Sequence, residues 1–331
     1  MKIGHVEIEN PIVVAPMAGI TNPAFRQICR RFKAGLVYTE MVSDKAICFE
    51  NKKTLGMTEV LEDEHPLTMQ IFGHDIDSMV QAAKFLDTQT SCDIIDVNMG
   101  CPVNKIVKSN AGSALMRDED YAAELMHEII MNVKKPVTVK MRIGWDSESK
   151  NCVSLAKKLE KAGVSAIAVH GRTKTQMYEG KADWSYIKKV KEAVQIPVIG
   201  NGDVRSVEDM IAMMDETGCD MVMIGRGVLG DPWLIQRCVH YLNTGEIIQD
   251  TGVEEKFDLA YNHAVSLCEL KGERVGMKEM RGHAAWYMKS LKYSHRVKEK
   301  ISMMSTLSEF QDILINYKSS LENDDWKWLE R

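Results

Sequence analysis

The sequence predicts an α/β protein: a (β/α)8 TIM barrel followed by a small all-helical C-terminal domain. Three observations carry this. Short β-branched apolar runs recur eight times in the first part of the chain, segments of helical period separate them, and past the turn-rich stretch 243–252 only helical period remains. The alternation fills ~230 residues, close to the ~250 typical of such a barrel.

The runs are Ile12–Ala15, Leu36–Thr39, Leu67–Ile71, Ile94–Val97, Val137–Met141, Ala166–Val169, Pro197–Gly200 and Met221–Ile224. Each is largely apolar over about four or five residues, as expected of strands buried on both faces of a parallel sheet. Between them, Ser78–Leu86 puts Met79, Ala82, Ala83 and Leu86 on one helical face. Asp118–Val133 opens with an acidic turn and aligns Leu125, Ile129 and Val133. Strand counting leaves a doubly wound open sheet as the alternative, since it does not prove closure. Gly230-Asp231-Pro232, Asn243-Thr244-Gly245 and Asp250-Thr251-Gly252 then break the pattern. The expected division is a barrel over 1–243 and a helical domain over 254–331.

The composition excludes several classes. With 331 residues, 45% hydrophobic and 27% charged, the chain is neither disordered, collagenous nor coiled coil. No run reaches the ~18 apolar residues of a membrane span, and Ile12–Ala15 is too short for a signal-peptide core. The eight cysteines stand singly, with no Cys-x-x-Cys and no Cys/His cluster, which disfavours a metal site. Isolated cysteines without an export signal lead to the expectation of a cytoplasmic location.

In such a barrel the chemistry sits in the loops that follow the strands. Here those loops carry Ala15-Pro16-Met17-Ala18-Gly19, Gln70, Asn98-Met99-Gly100-Cys101-Pro102, Lys140 and Arg142, His170-Gly171-Arg172-Thr173, Asn201-Gly202-Asp203 and Gly225-Arg226-Gly227. The last two are glycine-rich and include an arginine, the make-up of a phosphate cradle at the usual phosphate position of this barrel. Lys140 is a cation at a strand end; it suits an anionic ring such as a reduced isoalloxazine, or pairs with a nearby carboxylate. His170 is a donor to a ligand carbonyl, and Gln70 offers donor and acceptor to an imide edge. Cys101, between Gly100 and Pro102, presents a thiol fit for nucleophile or general acid.

Together these segments resemble the tRNA-dihydrouridine synthase family, most closely its bacterial B-type branch. Ala15-Pro16-Met17-Ala18-Gly19-Ile20-Thr21, Asp96-Val97-Asn98-Met99-Gly100-Cys101-Pro102-Val103, Val169-His170-Gly171-Arg172-Thr173, Gly200-Asn201-Gly202-Asp203 and Ile224-Gly225-Arg226-Gly227 carry the likeness, in order along nearly the whole chain. The resemblance implies an FMN-binding barrel and reduction of the C5–C6 double bond of a uridine in tRNA, with NADPH as reductant. Pro16, Met17 and Ala18 would line the flavin, Gln70 and Lys140 would contact its rings, and His170 would lie near ring or substrate. Asn201, Gly202, Asp203, Gly225 and Arg226 would hold the phosphate end, and Cys101 would be the general acid. Asn98 and Arg172 are expected beside the RNA.

The net charge of −5 argues at first sight against a nucleic-acid partner. It is unevenly spread: the window 271–300 holds nine Lys/Arg against three Glu, so it carries +6 and the rest of the chain −11. Lys278, Arg281, Lys289, Lys292 and Arg296 step at helical spacing, with Met277, Met280, Ala284, Tyr287 and Leu291 opposite. This predicts one basic helical face toward tRNA, with ribosomal RNA as the alternative; Arg172 and Lys174 would extend it toward the pocket mouth. Two other functions remain open at this point: an FMN barrel acting on a dihydroorotate- or enoate-type small molecule, which needs no basic face, and an RNA-binding protein without catalysis.

Overall fold

A computed structural model describes residues 1–330. The chain divides into two compact units, Met1–Gly227 and a second that begins at Val228.

In the first unit the expected strands form as β1 (Ile12–Val14), β2 (Leu36–Tyr38), β3 (Leu67–Phe72), β4 (Ile94–Met99), β5 (Val137–Arg142), β6 (Ile167–His170), β7 (Val198–Asn201) and β8 (Met221–Ile224). Each pairs in parallel with the next, and β8 returns to β1, so the sheet closes. Closure settles the choice against an open doubly wound sheet. A two-residue strand, Val42–Ser43, adds beside the end of β3. The helices are α1 (Pro23–Arg31), α2 (Ile76–Gln89), α3 (Glu119–Ile130), α4 (Cys152–Ala162), α5 (Ser185–Ala193) and α6 (Val207–Thr217), with short turns of helix after β2 and β4. Helix α2 buries Met79, Ala82, Ala83 and Leu86, as its period requires. Helix α3 is capped by Asp118 and stops at Ile130, so the expected extension to Val133 does not form.

Register gives the barrel interior its gradient. Thr68 pairs with Ile94, Gln70 with Asp96, Asn98 with Lys140, Arg142 with His170, and His170 with Asn201. These residues share the parity of Val13, Leu36 and Met223 and line one side of the sheet. The entry end is apolar: Leu36, Ile94, Ala166 and Met221 cluster with Ile3 and Ile8, supplied by an N-terminal hairpin of Lys2–Ile3 and Val6–Glu7. Polar groups accumulate toward the C-terminal ends of the strands, so the same eight strands supply a core at one end and a polar mouth at the other.

The second unit contains α7 (Trp233–Thr244), α8 (Val253–Lys271), α9 (Glu273–Tyr287), α10 (Ser294–Met303) and α11 (Leu307–Asn323). The divide falls earlier than position 243. Helix α7 groups with the later helices: Arg237 reaches Asp231 and Asp250, and a Cβ on Gly230 would lie 2.3 Å from the Trp286 backbone. No helix among the described residues is long and apolar enough to cross a membrane, and none of their His, Cys, Asp and Glu residues form a metal-holding cluster.

Candidate functional site

The loop bearing Cys101 is organised by a chain of directed hydrogen bonds that starts inside the barrel. Asp96, fully buried, accepts from Thr138 Oγ1 at 2.7 Å and from Gln70 Nε2 at 2.7 Å. A carboxylate accepts only, so Gln70 must turn its amino group toward it. That leaves Gln70 Oε1 to accept from Asn98 Nδ2 at 2.8 Å, and turns Asn98 Oδ1 outward to accept from the backbone N–H of Gly100 and Cys101 at 3.1 and 2.8 Å. Burial lifts the Asp96 carboxyl to about 6, against its two hydrogen bonds and the Lys140 charge. The sequence reading passed over Asp96 as a strand residue. Its signal was a carboxylate inside a buried strand, at the same parity as Asn98.

Cys101 is pinned from the other side as well. Its carbonyl accepts from Ser113 N and Oγ at 3.1 and 2.9 Å. Gly112, at φ +62°, packs so closely that a Cβ would come within 2.8 Å of that carbonyl. Arg142 donates from Nε to Gly100 O at 2.8 Å and from Nη1 to Thr173 O and Met177 O at 2.8 and 2.7 Å, joining the loops after β4 and β6. Burial raises the Cys101 thiol above its ordinary value despite the Val103 N–H, Arg142 and Lys140. The resting group is a protonated thiol, suited to donate a proton rather than to attack. Asn98 is thus a bracket for this loop. Removing it in Asn98→Ala orphans two backbone donors, each worth ~1–3 kcal/mol when left unpaired. Single-turnover rates are expected to fall roughly tenfold to a hundredfold, with the visible spectrum of bound cofactor retained.

The Lys140 side chain makes no hydrogen bond or close ion pair with the described residues, although the buried Asp96 carboxylate is within electrostatic reach. Burial, then Arg142, pushes its ammonium down to about 8. His170 is 8% exposed and held well below its usual range by burial, then by Lys140, Arg142, Arg172 and Arg226. Arg172 Nη1 lies 3.3 Å from His170 Nε2; a guanidinium only donates, so the neutral ring carries its proton on Nδ1.

Two expectations change at Arg172 and Asp203. Arg172 is 1% exposed and fully engaged: Nη2 binds both Asp203 oxygens at 2.9 and 2.8 Å and Gly180 O, while Nε binds Glu179 O. It braces the β6 and β7 loops and has no face for RNA. Burial raises the Asp203 carboxyl, but the Ala182 N–H and Arg172 outweigh it and hold it below its usual range. The Asp203 side chain therefore serves Arg172, and only its backbone is offered to an anion. Asn98, likewise expected beside RNA, has both amide atoms engaged as above.

The β7 and β8 loops present backbone donors. The N–H groups of Gly202, Asp203 and Val204 after β7, and of Gly225 after β8, have no partner within the described chain. Gly202 takes φ +124°, and a Cβ there would press to 2.7 Å on Ala182 and 3.1 Å on the His170 ring. A Cβ on Gly225 would meet nothing closer than Ala15 at 3.6 Å, with Met17 Sδ next at 3.9 Å, so this backbone faces the β1 loop across open space. Gly200 is small for another reason: Met213 and Cys219 press on it. Asn201 ties β7 to β8 through Met223 O at 2.8 Å. Pro16 and Met17 are half-buried and Ala18 exposed in a turn closed by Thr21 on Met17 and by Glu40 on Gly19 N. Arg226 is exposed, its guanidinium 4.8 Å from the Tyr178 ring; Arg142 lies 5.6 Å from the same ring. Tyr178, 54% exposed, is a further site residue that the sequence reading missed.

The cationic surface of the second unit differs from the expected single helical face. Helix α9 ends at Tyr287, and Ser290 and Tyr293 take φ +69° and +56° before α10 begins. Lys278 and Arg281 lie on α9, Lys289 and Lys292 on the connection, and Arg296 on α10. Arg281 Nε is bound to Met304 O, and Lys292 pairs with Asp324 at 2.6 Å. The opposite side does face the core at Met277, Met280, Ala284 and Tyr287, with Leu291 half-buried. Aromatics interleave with the cations: Lys289 lies 5.7 Å from the Trp286 ring, and Lys292 lies 5.6 and 5.9 Å from Tyr293 and Trp326.

Fold and site define a (β/α)8 enzyme whose mouth combines glycine-rich loop backbone with a half-buried thiol. Among solved structures, an old yellow enzyme homologue from Zymomonas mobilis matches with TM-score 0.52 and 12% identity, over 77% of this chain and 94% of that one. A histamine dehydrogenase from Rhizobium sp. 4-9 matches with TM-score 0.54 and 14% identity, over 86% of this chain and 50% of that one. Identities this low speak to the barrel alone. Residues 13–322 match the dihydrouridine synthase (Dus) family. A probable tRNA-dihydrouridine synthase of Rickettsia bellii is 39% identical over 98% of this chain and 99% of its own. tRNA-dihydrouridine synthase B of Vibrio vulnificus is 41% identical over 87% of this chain and 89% of its own. The chain belongs to the dihydrouridine synthase family, in its B-type branch.

Proposed function

We propose that this enzyme reduces the C5–C6 double bond of uridines in tRNA to 5,6-dihydrouridine, with FMN as cofactor, NADPH as reductant and Cys101 as proton donor. The observation that carries the reading is the convergence, at one barrel mouth, of a thiol kept protonated, an unpaired lysine and two loops of unpartnered backbone N–H groups. These fit a phosphate-tailed anionic ring. Gly202, Asp203, Val204 and Gly225 would take the phosphate by backbone and Arg226 by charge. Lys140 and the β1 loop of Pro16, Met17 and Ala18 would take the rings, while Gln70, with both amide atoms engaged by Asp96 and Asn98, orients the Cys101 loop instead of contacting them.

FMN, when bound and recharged by NADPH, supplies the hydride that reaches C6. Cys101 delivers a proton to C5, so the double bond gains one hydride and one proton and the thiol leaves as thiolate. Lys140 balances negative charge on the ring. Neutral His170 donates from Nδ1 without adding a charge. Asp96, Gln70 and Asn98 hold the Cys101 loop at a fixed pose. A uridine presents its C5–C6 edge to such a pocket only when flipped from the stack.

We assign tRNA binding to the second unit, on the cations and aromatics of the α9–α10 connection. Basic residues alternating with rings suit a backbone and its unstacked bases. Lys289→Glu with Lys292→Glu is expected to weaken tRNA binding and flatten its salt dependence while leaving flavin content unchanged; equal affinity at low and high salt in the parent would refute this electrostatic role. Eight cysteines scattered singly along the sequence suit a reducing cytoplasm.

Two measurements test the reading. A flavin absorption spectrum of the purified protein separates an enzyme from an RNA-binding protein without catalysis. Dihydrouridine mapping in RNA from a deletion strain separates a tRNA or ribosomal RNA substrate from a small enoate: loss of dihydrouridine at defined positions is expected, and an unchanged map would contradict it.

A further inference from the structure

Two cations converge on one indole at the barrel rim, outside the proton-donating relay and the β7–β8 loops described above. Arg117 Cζ and Lys174 Nζ each lie 4.8 Å from the Trp145 ring. They come from three loops on the C-terminal side of the barrel: Arg117 from the segment after β4, Trp145 from that after β5, Lys174 from that after β6. The arrangement is rigid. Lys174 N binds Gly144 O at 2.9 Å, Thr175 N binds Trp145 O at 3.0 Å, and Trp145 N binds Ser149 O at 3.0 Å. Neither cationic side chain has a hydrogen bond or ion pair with the described residues. The acids beside them in sequence are engaged elsewhere: Asp118 caps α3 through Tyr121 N, and Asp146 accepts from Glu148 N and Ser149 N.

Like charges gathered on one ring repel unless an anion is shared between them, and the indole attracts both without neutralising either. The position says which anion. The helical turn that begins at Gly112 and Ser113 on the Cys101 carbonyl ends at Arg117. The loop that contains Lys174 continues to Tyr178, which lies under Arg142 and Arg226. The cation–aromatic line thus borders the thiol that meets the base, on the β4–β6 side, whereas the cofactor cradle is on the β7–β8 side.

We propose that Arg117, Lys174 and Trp145 form a clamp for a phosphodiester of the RNA strand flanking the reduced uridine. This rests on the tRNA-reducing function proposed above. A strand opened to release one nucleotide needs its neighbouring phosphates held, and Arg with Lys beside an aromatic plane provides both charge and a stacking surface. The barrel rim, and not the helical unit alone, then grips the RNA.

The test uses the full flavin-loaded protein and an unmodified tRNA transcript. Binding is measured between ~50 and ~200 mM salt for the parent, for Arg117→Gln with Lys174→Gln, and for the charge-keeping Arg117→Lys with Lys174→Arg. Reduction of bound flavin by NADPH without RNA is measured on the same proteins. The neutral pair is expected to lose roughly tenfold in affinity at low salt and to flatten the slope of log affinity on log salt by about one to two. Its flavin reduction by NADPH should match the parent, and the charge-keeping pair should retain binding. Unchanged affinity and slope in the neutral pair would overturn the clamp. A defect confined to reduction by NADPH would overturn it too and assign the cations to the reductant's phosphates. Failure of the parent itself to bind tRNA would instead remove the underlying function.

Discussion

Cys101→Ala should lose turnover by about two to four orders of magnitude, the range a positioned general acid contributes, while the protein remains yellow and binds tRNA with parental affinity. The size follows from what the thiol does. Hydride arriving at C6 leaves electron density at C5 that a proton must meet, and no other side chain of the β4 loop combines a proton with this placement. His170 is held neutral by burial and four neighbouring cations, and its Nε2 is occupied by Arg172. Cys101→Ser keeps the shape and offers a far weaker acid, so it should fall between alanine and the parent. The pH sign is opposite to that of a nucleophilic cysteine. The protonated form is the working form, and its acidity is weakened by burial, so turnover persists through neutrality and declines as Cys101 ionises above the ordinary thiol range. A rate that climbs with thiolate formation, or near-parental product from Cys101→Ala, would remove Cys101 from the reaction.

Lys140→Ala and Arg226→Ala should each purify without flavin. Lys140 is held in no close ion pair, so its loss removes the charge that would balance an anionic ring, and Arg226 is the only side-chain cation on the two cradle loops that is not paired with a carboxylate in the described structure. Lys140 adds a pH signature. Its ammonium, lowered to about 8, is charged below that value and neutral above it, so flavin retention should fall as pH rises through about 8. Saturating added FMN should restore turnover there, which separates this loss from ionisation of Cys101. Retained colour in both variants, at every pH, would contradict these roles.

The strands were legible because each is a short, largely apolar and β-branched run, and the mouth because polar or glycine tips follow seven of them. What escaped the sequence is who partners whom. Arg172 reads as a free cation after β6, yet closure of the barrel brings Asp203 against it and buries both charges in one bracket. Asn98 and Gln70 read as ligand contacts. Only the register, which sets Gln70 beside Asp96, reveals a relay whose direction an acceptor-only carboxylate imposes. The basic face was predicted as one helix because Lys289 and Lys292 keep helical spacing. Left-handed backbone at the non-glycine residues Ser290 and Tyr293 breaks it, and side-chain type alone gives no notice of that. Tyr178 escaped because an exposed tyrosine in a loop acquires meaning only when Arg142 and Arg226 are seen beside it.

The central claim is that this chain, through a protonated Cys101, reduces uridine in tRNA with flavin-borne electrons. The direct measurement is in vitro: purified flavin-loaded protein, an unmodified tRNA transcript and NADPH, with dihydrouridine quantified by nucleoside mass spectrometry alongside Cys101→Ala. The account predicts a mass gain of two hydrogens per modified uridine with the parent and almost none with the variant. Oxidation of NADPH with no reduced uridine, or equal product from the two proteins, would contradict it.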